Sequence, residues 1–216
     1  LADTIRPRLE ALGADCTRII TVVPEDADRE TPATNNSGAA ASSPDVRGSI
    51  HRPPSRELDL GRDVAFLERV LDDHPECRLV IVDPISAYLG RAIENINTEV
   101  RRIISPLARL AARRRLALVL ISHLRKQSGT AVHSSLGSLA YVAAARTAWL
   151  VTKDRHDPHR RLLLPIKNNI AADSQGLACT IEPHPSAGLP IVRWSQEPID
   201  RDADEALTAL GRSAGR

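Results

Sequence analysis

The chain has 216 residues, a net charge of +2, 42% hydrophobic residues and 26% charged residues. This composition is typical of one globular domain with a sizeable core, and the net charge is too small to indicate nucleic-acid binding by itself. Aromatic residues make up only 2% of the chain, so the core must be built mainly from Leu, Ile, Val and Ala.

The sequence gives no sign of a membrane segment or of a disulfide framework. No run approaches the ~18 apolar residues of a membrane span, and no signal peptide is visible. Cys16, Cys77 and Cys179 are scattered and form no CxxC pair, which favours a reduced, cytoplasmic location. Because the chain has no Met, even at position 1, we expect it to be a fragment of a longer protein.

The N-terminal part begins with a helix and a strand pattern. A helix is predicted from Asp3, its cap, to Gly13, which ends it, and residues 18–23 have strand character. Residues 24–57 are rich in Pro, Ser, Thr, Asn, Ala and Gly and cannot bury enough apolar surface to offset the entropy of ordering. We therefore predict a disordered insertion there, followed by a helix over 63–73.

Two apolar runs that each end in a polar residue dominate the middle of the chain. Leu79–Val82 leads into Asp83, and the run from Leu118 leads into His123. Uninterrupted apolar runs of this length are typical of strands buried on both faces of a parallel sheet. An amphipathic helix pattern over 100–111 separates them, so a right-handed crossover makes the strands parallel. Asp83 and His123 should then emerge at the carboxyl edge, where open α/β sheets bind ligands.

The C-terminal part is predicted to contain one helix and four strands. These elements are a helix over 138–145 and strands over 147–153, 161–167, 177–182 and 190–194. The first two strands flank the polar turn 154–159 and predict a hairpin. Because the sequence becomes charged near its end, we assign residues 1–195 to one domain and 196–216 to a charged tail or linker.

The polar residues at the strand ends indicate a nucleotide site. An apolar strand ending in an acid is the Walker B pattern, in which the carboxylate holds a Mg²⁺-bound water beside nucleotide phosphates. Asp83 could equally cap the turn at Pro84, and His123 could bind either a γ-phosphate or backbone at the sheet edge. Arg125 and Lys126 could neutralise phosphates of a nucleic acid, although a lone basic pair is often only solvated.

Four segments in one order resemble a known family. They are Leu-Val-Ile-Val-Asp-Pro-Ile-Ser at 79–86, Val-Leu-Ile-Ser-His-Leu-Arg-Lys at 119–126, the stretch 136–146 and Ile-Lys-Asn-Asn-Ile at 166–170. The series resembles the RecA-like P-loop ATPases of the RepA-type hexameric replicative helicases of phages and plasmids. The similarity runs from about residue 1 to 182. It implies an α/β RecA-like core with a mostly parallel sheet, flanking helices and a C-terminal antiparallel hairpin.

The resemblance also implies ATP and Mg²⁺ as cofactors and a role for each matching residue. Asp83 is the metal-binding Walker B acid, His123 the γ-phosphate sensor, and Ser86 joins them in the nucleotide site. Arg146 is implied as an arginine finger, and Lys167 as a lysine that reaches the nucleotide of a neighbouring subunit. The residues alone leave other interpretations open, a structural ion pair for Arg146 and a surface lysine for Lys167.

By the same resemblance, two loops line the channel of a hexameric ring and contact single-stranded DNA. The loops span 90–97 and 126–135, and the implied DNA-binding residues are Arg91, Arg125, Lys126 and His133. Neither loop has an aromatic residue, so their grip on DNA is expected to be electrostatic.

The sequence lacks one motif that this family uses. No GxxxxGK[ST] occurs in the 216 residues, so no loop of this type cradles the phosphates. We expect an N-terminally truncated ATPase core that is inactive alone and lacks a central strand, leaving a sheet edge open. Two alternatives remain, a regulatory or binding module without a phosphate loop and a RecA/RadA-like recombination ATPase.

Overall fold

A computed structural model of the chain describes residues 5–22, 58–89, 97–123, 139–186 and 188–206. Within these ranges the helices are α1 Ile5–Ala11, α2 Val64–Asp73, α3 Asn97–Arg114 and α4 Leu139–Ala144. The strands are β1 Leu79–Val82, β2 Ala117–Leu120, β3 Thr147–Lys153, β4 Arg160–Asn168, β5 Leu177–Pro183 and β6 Pro190–Trp194. Asp3, the predicted insertion 24–57, residues 90–96 and the loop 126–135 lie outside the described residues.

Strands β1 and β2 pair in parallel, as the crossover pattern predicts. The register places Leu79 opposite Ala117 and Val82 opposite Leu120. Side chains alternate between the two faces of a strand, so the set containing Val80 and Leu118 packs on the helices. The other set is uncovered, with Leu79 50% and Ile81 57% exposed. The prediction of burial on both faces is therefore wrong for the described residues, because no described element covers the second face.

The core under the parallel strands is formed mainly by α3. Ile103 and Leu107 of α3 pack with Leu60, Ile85 and Leu89, all of them almost completely buried. The apolar positions predicted over 100–111 thus face the sheet, as their helical spacing requires. On the outside of this core, Arg113 pairs with Glu68 and Arg114 with Asp72, which ties α3 to α2.

The four remaining strands form an antiparallel sheet in the order β3-β4-β5-β6. The predicted hairpin is confirmed, with Leu150 opposite Leu164, and so are the two shorter strands. The mixed α/β class is confirmed, but the predicted mostly parallel sheet is wrong for the described residues. The connections between these strands are short, and a short connection permits antiparallel but not parallel pairing.

One face of the antiparallel sheet is packed, and the other is largely exposed. Leu150, Leu162, Leu164 and Ala178 form a buried cluster with Ala203. Residues near the C-terminus complete this cluster, because Ile199 and Ala206 also pack against it. Gly176 and Ile199 form a β-bridge, so the segment predicted as a charged tail contributes to this core up to residue 206.

The predicted strand over 18–23 is wrong for its described part. Residues Cys16–Arg18 form a 3-10 helix capped by Asp15, and residues 19–22 pair with no other strand. Ile19 and Ile20 are exposed, and no strand within the described ranges pairs with this segment.

The three cysteines are free thiols. None of the helices in the described part of the chain combines the length and the hydrophobicity that crossing a membrane requires.

Candidate functional site

The carboxyl edge of β1 and β2 is held together beyond the strand ends. The Ile121 amide donates to the Val82 carbonyl at 2.9 Å, and the Ile85 amide donates to the Ile121 carbonyl at 2.8 Å. Asp83 lies between these bonds on one segment, and His123 follows them on the other. The parallel register therefore brings the two residues to the same rim of the sheet.

The side chains of Asp83 and His123 are close but not bonded to each other. His123 Nε2 lies 3.9 Å from Asp83 Oδ1, and the two side chains are 74% and 56% exposed respectively. This distance exceeds that of a hydrogen bond. Each group therefore keeps the capacity to bind a third group at the rim.

The chemistry of this pair fits a phosphate ligand with a hard cation. Carboxylate oxygens are ligands for Mg²⁺, which is usually held by one or two carboxylates together with substrate phosphates. An imidazole N–H can donate to a phosphate oxygen. In the part of the chain that the structure describes, no three His, Cys, Asp or Glu side chains cluster as a metal cage. Asp83 offers one carboxylate at the rim, which fits a metal ion that is also bound by a phosphate.

Ser86 lies one turn beyond Asp83, in a 3-10 helix over Ile85–Tyr88. Ile85 and Leu89 are each 1% exposed, so they anchor this turn to the core. Ser86 itself is exposed, and no hydrogen bond joins its hydroxyl to Asp83 or His123, which are both described. Ser86 is therefore close to Asp83 in sequence, but no contact described in the structure links it to Asp83 and His123.

Arg146 lies in the connection between α4 and β3, on the other sheet. Its carbonyl accepts a hydrogen bond from the Asn169 amide at 3.0 Å, while its side chain is exposed and has no side-chain partner among the described residues. No described contact joins Arg146 to Asp83 or His123.

Lys167 has partners within its own chain. Its ammonium donates to the Val142 carbonyl at 3.1 Å and to the Ala143 carbonyl at 2.9 Å. These carbonyls belong to the last turn of α4, where unpaired acceptors and the negative end of the helix dipole attract a cation. Lys167 therefore caps α4, a use that its position at a strand end did not indicate.

The four residues predicted to bind DNA are not described. Arg91, Arg125, Lys126 and His133 all lie outside the described ranges. His123 is the last described residue before the loop that carries three of them.

Sequence reasoning missed a buried carboxylate at the start of the β3–β4 turn. The Asp154 side chain is only 4% exposed and accepts from Arg201 Nη1 at 3.1 Å, with Arg160 Nη1 at 3.8 Å. Burial acts to raise the pKa of Asp154, but the bond from the His156 amide and the two guanidinium groups outweigh it and lower that pKa. The Asx turn to His156 was readable from sequence, whereas Arg201 lies 47 residues away.

Comparison with known families adds one finding. A family model described as an AAA domain matches residues 2–129, which is more than half of the chain. The matched region includes β1, β2, Asp83 and His123, and it ends before Arg146, Lys167 and the antiparallel sheet. A search of curated proteins finds no match to this chain.

Proposed function

The chain belongs to the AAA domain family of P-loop ATPases, and from this premise we propose that it serves ATP-driven movement on DNA. The specific function we propose is that of a RepA-type replicative helicase that acts on single-stranded DNA as a hexameric ring. ATP and Mg²⁺ are the ligands expected of an ATPase family, and hydrolysis of the bound nucleotide supplies the free energy for movement.

One observation carries the proposal, the 3.9 Å approach of His123 to Asp83 at the carboxyl edge of parallel strands. Asp83 would hold Mg²⁺ through its carboxylate, and His123 would donate a hydrogen bond to a terminal phosphate. In the sequence, Arg125 and Lys126 follow His123 by two and three residues, and we propose that they contact DNA. A change in the hydrogen bonding of His123 would therefore act on the segment proposed to contact DNA.

The arrangement of strands supports a RecA-like core. Strands β1 and β2 with α3 between them form a parallel crossover unit, and β3 to β6 form an antiparallel extension. Within the described residues, β2 and β3 each have one edge without a partner strand. A RecA-like core has a further strand between these two edges, which would join both sheets into one.

The ring proposal concerns Arg146 and Lys167. The exposed side chain of Arg146 is accessible to a second subunit, where a guanidinium would stabilise charge on a transferred phosphoryl group. Lys167 is committed to the end of α4 by two hydrogen bonds, so its action on a neighbouring subunit would require it to leave them. Arg146 is thus the stronger candidate for action in trans.

The test uses Asp83→Ala and His123→Ala in the full-length gene product. DNA-stimulated ATP hydrolysis should fall by at least a hundredfold in each, because a metal-binding or charge-stabilising group is worth several kcal/mol in the transition state. Asp173→Ala removes an exposed carboxylate far along the chain and should leave hydrolysis unchanged. Sedimentation analysis should show the same assembly for all three variants.

Three results would contradict parts of the proposal. Normal hydrolysis in both rim variants would exclude the assignment of Asp83 and His123. ATP binding without hydrolysis by the wild-type protein would favour the regulatory module. Strand exchange without unwinding would favour the recombination ATPase.

A further inference from the structure

The outer face of the antiparallel sheet is largely apolar, and most of its side chains are exposed. Side chains alternate along each strand, so the face opposite Leu150 and Leu164 carries its own set of residues. We call this set the tryptophan face, and it consists of Trp149, Val151, Lys153, Arg161, Leu163, Pro165, Leu177, Cys179, Ile181, Val192 and Trp194. Trp149 is 40% and Trp194 56% exposed.

The aromatic residues are distributed unevenly between the two sheets. The chain has two Trp, two Tyr and one Phe. Phe66 is buried, and Tyr88 and Tyr141 pack against the core of the parallel strands. All five aromatic residues lie in the described ranges, and of these five only the two tryptophans are exposed; both lie on the tryptophan face.

The charged side chains that the four strands place on this face have one sign. The strand register places Lys153, Arg161, Cys179 and Trp194 side by side in one row across the sheet. Arg161 Nη1 donates to the Pro158 carbonyl at 2.8 Å, which holds the guanidinium at the hairpin end of the row. Glu182 is the only acid within the four strands, and its pairing with the buried Ile191 places it on the opposite face.

Three acidic residues of the C-terminal segment also lie away from this face. Ile199 and Ala203 pack against the inner cluster of the sheet, so the chain carrying Asp200, Asp202 and Asp204 runs over that side. The tryptophan face thus joins apolar and aromatic surface to two cations with no nearby strand carboxylate, a combination that complements a polyanion with flat bases.

We propose that the tryptophan face binds single-stranded nucleic acid. Bases stack on Trp149 and Trp194, and phosphates lie near Lys153 and Arg161. The two tryptophans stand at opposite corners of the face, about 20 Å apart from strand spacing and rise, so they take separate bases. The choice of DNA as the probe rests on the proposed function. The face is separate from the Asp83 rim, so the two proposals can fail independently.

The intrinsic fluorescence of the chain reports on this face directly, because both of its tryptophans lie there. The full chain is titrated with oligodeoxythymidylate of about 15 nucleotides, near the upper site size of single-strand binding modules, at low salt and without ATP. Stacking should quench the tryptophan emission. Asp83→Ala should be quenched equally, which separates this result from any loss of ATP hydrolysis.

Single substitutions locate the contact, with binding measured by the anisotropy of a labelled oligonucleotide. Trp194→Leu keeps apolar surface but removes the aromatic ring, and it should weaken binding about tenfold. Trp194→Phe keeps a stacking ring and should bind nearly as the wild type does. Lys153→Gln should reduce the slope of log affinity against log salt by about 0.7. Arg193→Gln, which removes an exposed cation from the opposite face, is the matched control and should leave the slope unchanged.

Three outcomes would overturn the proposal. One is the absence of both quenching and an anisotropy change at low salt. Another is that the substitutions fail to locate the contact. In that case Trp194→Leu binds as the wild type does, or Arg193→Gln reduces the slope of log affinity against log salt as much as Lys153→Gln. The third is self-association of the chain that Trp194→Leu abolishes and oligonucleotide does not compete with, since that would make the face a protein interface. Circular dichroism confirms that each variant is folded.

Discussion

The two sheets of this chain place their polar groups in different ways. In the parallel pair β1 and β2, both strands run in one direction, so Asp83 and His123 leave the sheet at one rim. In the antiparallel sheet successive strand ends alternate, and the cations and tryptophans lie on a broad face instead. A parallel unit thus brings polar side chains together at one rim, whereas an antiparallel sheet distributes them over an extended surface.

The two regions also have separate cores. The buried cluster around Ile103 and the cluster around Leu164 share no residue within the described ranges. Helix α4 connects them, because its Tyr141 packs against the parallel core while its last carbonyls accept from Lys167. We therefore expect each region to respond mainly to changes in its own core, with α4 as the coupling element.

The largest expected effect tests this separation. Leu164 is 0% exposed, and Leu164→Ala should lower the free energy of unfolding of the antiparallel region by about 2–5 kcal/mol. Hydrogen exchange should show faster amide exchange in β3 to β6 and little change in β1 and β2. Leu107→Ala, in the parallel core at 1% exposure, is the matched control and should give the reverse pattern. Equal loss of protection in both regions after either substitution would show that the two cores unfold as one.

Local sequence signals predicted where the individual helices and strands lie better than they predicted which other elements pack against them. The strand over 79–82, the α3 pattern and the hairpin around 154–159 follow from apolar periodicity and turn composition, which act over a few residues. The absence of strand pairing at residues 19–22 and the exposure of one face of β1 could not be predicted in this way. Both depend on which elements cover them, and that is a property of tertiary contacts.

The same division applies to the candidate site. The approach of Asp83 and His123 could be predicted, because the right-handed crossover alone brings two strand ends to one rim. The contacts of Lys167 with the end of α4 and of Asp154 with Arg201 could not. Their partners lie 24 to 25 and 47 residues away in sequence, and nothing in the local pattern around either residue indicates which distant group it meets.

A second prediction concerns the buried carboxylate of the antiparallel region. Asp154→Asn should destabilise this region by about 1–3 kcal/mol at neutral pH, because it leaves the charge of Arg201 and Arg160 unmatched. The effect stays below that of a fully buried pair, since both guanidinium groups are 37% exposed and are screened by solvent. Urea unfolding monitored at β3 to β6 measures the change.

The difference in unfolding free energy between the wild type and Asp154→Asn should depend on pH, and its pH dependence follows from the direction of the shift in the pKa of Asp154. The folded pKa of Asp154 is lowered, so its stabilising effect is complete above the unfolded value of about 3.9 and is lost as the pH falls through the lower folded value. The gap between wild type and Asp154→Asn should therefore be constant near pH 7 and shrink below about pH 4. A gap that persists at lower pH would show that packing, and not charge, accounts for it.

The smallest effect concerns the residue that joins the two regions. Lys167→Met keeps an unbranched side chain but removes both hydrogen bonds to the last turn of α4, and should cost about 1 kcal/mol. Because α4 packs on the parallel core, amide exchange should increase both in α4 and at the end of β4. Lys167→Arg retains a donor and should recover most of this loss.

This variant also separates the structural use of Lys167 from the proposed action in trans. If the role of Lys167 is to contact α4, then in mixtures of Lys167→Met and Asp83→Ala subunits the rate of ATP hydrolysis should be proportional to the fraction of subunits that keep Asp83. Mixing should cause no further loss of activity. A lysine that serves the neighbouring rim would instead make activity depend on the order of subunits, and the mixture would recover turnover that neither variant has alone. The two hydrogen bonds at 2.9 and 3.1 Å favour the first result, since the ammonium must give up both before it reaches another subunit.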